Sequence, residues 1–245
     1  MSRTTIRGAA LTAIAFAMSS AQVPLKTLDR DKAHTEYSFA IRPGSKPFSF
    51  RVELDQTMTV TGVLVFREGE SAPFQTLPMC RGISEQLNAN DSERELLEHA
   101  DLNFDGFEDL ELLQYYQPHL GTKVYCIFTW DNQRGQFRRA PEVPQPNPVA
   151  HPENKTITTH QDWMGGAYAD SVYSWTDGKY VLTESSGRGY GDSKCHFLDH
   201  CEKLVRGEMV ITLWRPAGCV EGEVDPPPTC PAGTKPDPNA PKPAK

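Results

Sequence analysis

The chain has 245 residues with a formal net charge of −7, 25 Lys and Arg against 32 Asp and Glu, and 20 prolines. That length allows one domain with a substantial core. The acidic balance disfavours nucleic acid, which needs clustered cations, and favours a cationic protein partner.

Arg3 and Arg7 precede the uncharged stretch Gly8–Met18 and the small residues Ser19, Ser20 and Ala21. This is the pattern of a secretory signal peptide over residues 1–21, cleaved after Ala21. No later run approaches the ~20 apolar residues of a membrane helix. The expected product is therefore periplasmic or secreted, with no membrane insertion. Losing two arginines and no acid would take the net charge from −7 to −9.

Beyond the leader, runs rich in Val, Thr, Phe, Tyr and Trp recur between turn residues, and only Ser92–His99 has a helical look. The predicted strands are Phe48–Leu54, Met58–Phe66, Phe107–Gln114, Val124–Trp130, Gln136–Arg139, Ser171–Trp175, Tyr180–Glu184 and Glu208–Trp214. The fold expected over residues 22–224 is all-β, a small propeller-like or β-sandwich domain of antiparallel hairpins. VYCIFTW-DNQRG-QFRRA and VYSW-TDG-KYVLTES read as hairpins whose Asn, Asp and Gly supply the turns. Their tryptophans, Trp130 and Trp175, stand about one propeller blade apart. Residues 225–245 contain eight prolines, which predicts an extended, disordered tail.

Asp101-Leu-Asn103-Phe-Asp105-Gly106-Phe107-Glu-Asp109 sets oxygen-bearing side chains at loop positions one, three, five and nine. Gly106 permits the sharp bend, and the Phe107 carbonyl is available at position seven. A hard cation requires this alternation, so Asp101, Asn103, Asp105, Phe107 and Asp109 are the predicted ligands of a structural Ca2+. Position twelve is Leu112, so the loop is not a complete EF-hand. An acidic turn held by Asx hydrogen bonds is the metal-free alternative.

Six cysteines, Cys80, Cys126, Cys195, Cys201, Cys219 and Cys230, form an even set that an exported chain would spend on disulfides. The short-range pairings expected are Cys195 with Cys201 and Cys219 with Cys230. The run CHFLDHC, with His196 and His200, is also compatible with a transition-metal site. No G-x-S-x-G elbow, H-E-x-x-H helix or phosphate-binding loop is present, which leaves open a Ser/His/acid set whose members would meet only in the fold.

HADLNFDGFEDLELL followed by KVYCIFTWDNQRGQFRRAPEVPQPNP resembles a family of bacterial periplasmic proteins that includes the immunity partner of a lysozyme-like effector delivered by bacterium-killing type IV secretion systems. The resemblance covers about Glu98–Tyr190. It implies a β-rich fold, a calcium loop and kinship with periplasmic lysozyme inhibitors. Ser186-Gly187-Arg188-Gly189-Tyr190 also looks like the S-G-x-x-Y loop that such inhibitors insert into the enzyme cleft. By that resemblance Ser186, Gly187 and Tyr190 form an inhibitory loop, and the partner is a lysozyme-type muramidase. The alternatives are an exported calcium-dependent hydrolase and a calcium-stabilised adhesion or scaffold module.

Overall fold

The computed structural model describes residues 35–56, 59–80, 95–191, 195–219 and 225–240. The leader assigned to residues 1–21 lies outside them. Among the described residues, fourteen strands follow one another as antiparallel meanders in three open sheets. The first sheet is β1 (Glu36–Phe39), β2 (Phe48–Leu54), β3 (Val60–Arg67) and β4 (Gln75–Pro78). The second is β5 (Leu97–Ala100), β6 (Asp109–Gln117), β7 (Thr122–Asp131) and β8 (Gln136–Arg139). The third has six strands: β9 (Val149–His151), β10 (Thr156–Trp163), β11 (Ala167–Thr176), β12 (Lys179–Tyr190), β13 (Phe197–Val205) and β14 (Glu208–Ala217). Within each sheet the spatial order is the chain order.

Period-two patterning explains the first layer. In β2, Phe50 and Val52 are buried while Ser49, Arg51 and Glu53 face solvent. Those apolar residues join Val63 and Val65 of β3 and meet Leu110, Leu112, Phe128, Trp130 and Phe137 of the second sheet in one core. The arrangement is a sandwich, and the propeller expectation falls. Trp130 is buried in this core, whereas Trp175 packs beside Tyr180 at a hairpin of the third sheet, so the two hairpins are not equivalent blades. Cys80 and Cys126 form a disulfide joining the end of the first sheet to β7.

The second sheet is apolar on both faces. Leu113, Tyr125 and Ile127 join Leu102, Ala140, Val143 and Ile157 of β10 in a second core, against which Tyr180 of β12 packs. Strands β13 and β14 contribute to neither core. Covalent and ionic ties hold them instead. Cys195 pairs with Cys219 and Cys201 with Cys230, so all six cysteines are bridged as an oxidising compartment would leave them.

Neither short-range pairing foreseen for the last four cysteines forms. CHFLDHC does not close on itself because Phe197 onward is strand, and six extended steps along the chain would set Cys201 about 20 Å from Cys195, far beyond disulfide reach. With both thiols bridged, the transition-metal reading of this run goes too. The helical look of Ser92–His99 is likewise overridden: residues 92–94 lie outside the described residues, and Leu97–Ala100 pairs with β6 as strand β5.

The proline-rich tail also departs from expectation. Residues 225–240 form a strap on the third sheet. Cys230 is bonded to Cys201 in β13, Arg188 donates to the Asp225 and Pro226 carbonyls, and Lys203 donates to Ala232. At the free edge of β14, the Asp237 carboxylate accepts from the Trp214 N–H while its own N–H donates to the Ile211 carbonyl. The strap thus satisfies edge groups that a neighbouring strand would otherwise take.

Candidate functional site

The predicted calcium loop is the connection of the β5–β6 hairpin. Phe104 and Gly106 take left-handed backbone, with φ of 59° and 87°. The Asp101 carboxylate accepts from the Asp105 and Gly106 N–H groups at 3.0 and 2.9 Å. Asn103 Oδ1 accepts from Asp105, and Asp105 Oδ1 from Phe107. Asp109, fully buried beneath the loop, accepts from Leu102 N–H at 3.0 Å and from Trp130 N–H of β7 at 2.8 Å. The Tyr180 hydroxyl donates to the Leu102 carbonyl, which ties the third sheet to the same loop.

Burial, reinforced by the charges of Asp105 and Asp101, raises the Asp109 carboxyl to about 8, and burial raises Asp101 as well. The donor types and their order fit a hard cation. The side chains themselves rest on backbone N–H groups. Among the described residues no three His, Cys, Asp or Glu side chains converge closely enough to hold a metal.

Ser186, Gly187 and Tyr190 lie within β12, paired to β11 on one side and β13 on the other. The expected protruding loop is therefore a strand. Gly187 serves sheet packing, not a turn: a Cβ there would meet the Tyr168 carbonyl at 2.4 Å and His200 Cε1 at 3.2 Å, and the residue is buried.

Strand geometry nevertheless unites the two polar positions. Ser186, Arg188 and Tyr190 alternate onto one face, with Ser186 and Tyr190 about 13 Å apart. Tyr190 is 64% exposed, among the most open large apolar side chains. Its ring stacks on Phe197 at 6.5 Å, and its hydroxyl donates to the Met164 carbonyl in the β10–β11 turn. Met164 is itself 74% exposed.

Between them, Arg188 is buried against Asp199, which is fully buried. Its Nε and Nη2 reach the Asp199 oxygens at 2.7 and 3.1 Å, and Arg215 binds the same carboxylate at 3.0 Å. The two guanidiniums outweigh burial and hold the Asp199 carboxyl below its ordinary range. Sequence reasoning treated Arg188 as a filler in S-G-x-x-Y and gave Asp199, inside the CHFLDHC run, no role. The signal available was alternation in HFLDHCEKLV, which puts Phe197, Asp199 and Cys201 on one face.

A second charged constellation lies on the same sheet. His160 of β10 is clamped between Asp170 at 2.6 Å and Asp162 at 2.9 Å. The hydrogen bonds its ring donates to these carboxylates outweigh burial and raise the imidazole.

No protein-family profile matches the chain, and no curated protein matches it. A solved structure described as that of a Xanthomonas type IV secretion system related protein aligns with 72% of this chain and 92% of that one, at 16% identity and a TM-score of 0.45. At this distance neither activity nor partner passes from that protein to this one.

Proposed function

We propose that the chain is an exported, non-enzymatic binding protein that occludes the cleft of a lysozyme-type peptidoglycan hydrolase, as an inhibitor or immunity partner. The observation that carries this reading is the exposed Tyr190, braced by Phe197 and the Met164 carbonyl on the same strand face as Ser186. A muramidase cleft holds two carboxyl groups flanking a row of sugar subsites, so a blocking surface needs neutral hydrogen-bonding groups and a flat ring. Ser186 supplies a hydroxyl and Tyr190 a phenol. Gly187 lets β11 and β12 approach closely enough to present both.

Calcium is the structural ion of this proposal. Asp101, Asn103, Asp105 and Asp109 would hold it with the Phe107 carbonyl, and its charge would favour the ionised form of Asp109 that burial and, second to it, the neighbouring carboxylates oppose. Because Asp109 also binds β7 and Leu102 is held by Tyr180, the loop joins the second and third sheets. Calcium would therefore steady the sheet that carries Tyr190 without touching the partner.

The test is the inhibition constant of the mature protein and of the Tyr190→Phe, Tyr190→Ala and Ser186→Ala variants against lysozymes, with melting curves alongside. An interface anchor of this kind costs about 2 kcal/mol or more on truncation, roughly thirtyfold in affinity. Equal inhibition by wild type and Tyr190→Ala would remove the surface from the account.

A further inference from the structure

Resting on the binding-protein reading above, we infer that the proline strap is the outer layer of the partner-binding face, and that it and Tyr190 together engage a basic protein with an apolar recess. Arg188 sits between Ser186 and Tyr190 on the strand face, and its guanidinium holds the Asp225 and Pro226 carbonyls. The strap therefore crosses the sheet between the two positions. Farther along, Cys230 is bonded to Cys201, the β13 residue directly opposite Ser186, and Ser186 and Cys230 line one cavity of about 60 Å³. A partner that reaches Ser186 and Tyr190 at once must pass over the strap.

The strap suits that role. The Asp225 and Pro226 carbonyls bind inward to arginine, while Pro226, Pro227, Thr229 and Pro231 are exposed. Proline rings restrict the backbone before binding, and the disulfide and the arginine clamp fix its position, so little ordering remains to oppose association. Exposed prolines in an extended chain pack well on aromatic-lined grooves. Asp170, Glu184, Glu202 and Lys203 border the cavity at Cys230, and since Lys203 pairs with Glu184 the lining keeps a net excess of acid. With the chain's net charge of −7, this excess favours a cationic occupant and opposes a second copy of this chain.

The experiment measures binding of the intact, oxidised protein to C-type, g-type and i-type lysozymes and to cytochrome c, a basic protein that is not a muramidase. Pro227→Lys and Thr229→Lys place a cation on the exposed strap. Val149→Lys adds the same charge at an exposed site on β9, at the opposite edge of the sheet. Chain shortening to residue 225 combined with Cys201→Ser removes the strap, and melting curves show whether that form stays folded.

The expected result is a loss of about thirtyfold or more for both strap variants, under threefold for Val149→Lys, and unchanged melting for all three. If the same pattern appears only with cytochrome c, the inference stands and the muramidase reading falls. Unchanged binding by the strap variants overturns the inference while leaving the muramidase reading intact, and tighter binding without the strap overturns it too, since the strap would then be a cover. Failure of the wild type to bind any of the four proteins overturns both.

Discussion

Replacing Asp199 by asparagine tests how the outer part of the third sheet is held. Asp199 is fully buried and takes hydrogen bonds from Arg188 and Arg215, and Arg188 is itself buried. The introduced amide would keep the shape but leave a buried guanidinium facing no carboxylate. Breaking one partner of such a pair costs about 3–5 kcal/mol, and the value should fall near the low end because Arg188 keeps the Asp225 and Pro226 carbonyls as acceptors. No apolar cluster on β13 or β14 compensates. The assay is urea unfolding at neutral pH with disulfides intact, followed by fluorescence and circular dichroism to check that the transitions coincide. The double variant Arg188→Met with Asp199→Leu should recover most of the loss, since the cost lies in the orphaned charge and not in the missing attraction. The folded-state pKa of Asp199 is depressed. Its contribution is therefore present above the ordinary carboxyl value of about 3.9 and is lost as pH falls through the lower folded value. A loss under about 1 kcal/mol for Asp199→Asn, or a double variant no better than the single, would refute this account of the sheet.

Calcium at 100 times its dissociation constant should add about 2.7 kcal/mol, seen as a melting temperature that drops on chelation, and Asp105→Ala should abolish that drop. The chelated protein should also lose stability as pH rises toward 8, because Asp109 and Glu111 are both raised to about 8 by burial and bind more protons folded than unfolded above about pH 4. Glu111→Gln should flatten that decline by up to a few kcal/mol, and a decline as steep as wild type would exclude Glu111 as its source. His160 is raised by its two carboxylates, so its contribution is complete below the ordinary value of about 6.5 and fades as pH climbs through the folded value. His160→Gln should accordingly cost more at pH 6 than at pH 8 in matched melts, and an equal cost at both would show that the imidazole's charge contributes nothing.

Strands with simple alternation were legible. Phe48–Leu54 and Gln136–Arg139 form as predicted, and Asp177-Gly178 makes the expected hairpin turn with both φ angles positive. The tight acidic turn at Asp101–Asp109 was legible because its Asx hydrogen bonds are local. What escaped reading depends on distant pairing. Strand β13 carries Asp199, whose inward charge looks like loop chemistry until two arginines from neighbouring strands surround it. The S-G-x-x-Y segment looks like a turn because its glycines suggest bending, yet Gly187 is there so that the Tyr168 carbonyl and His200 can close on it. The tail looks unstructured by composition, and only a disulfide partner and an arginine that lie far away in sequence hold it down.

The central claim is occlusion of a muramidase, and the most direct measurement is the rate of cell-wall lysis by C-type, g-type and i-type lysozymes as the mature, oxidised, calcium-loaded protein is titrated in. At least one class should be inhibited to completion at a one-to-one ratio, and Tyr190→Ala should shift that titration by about thirtyfold. Undiminished lysis by every class at saturating protein would contradict the claim.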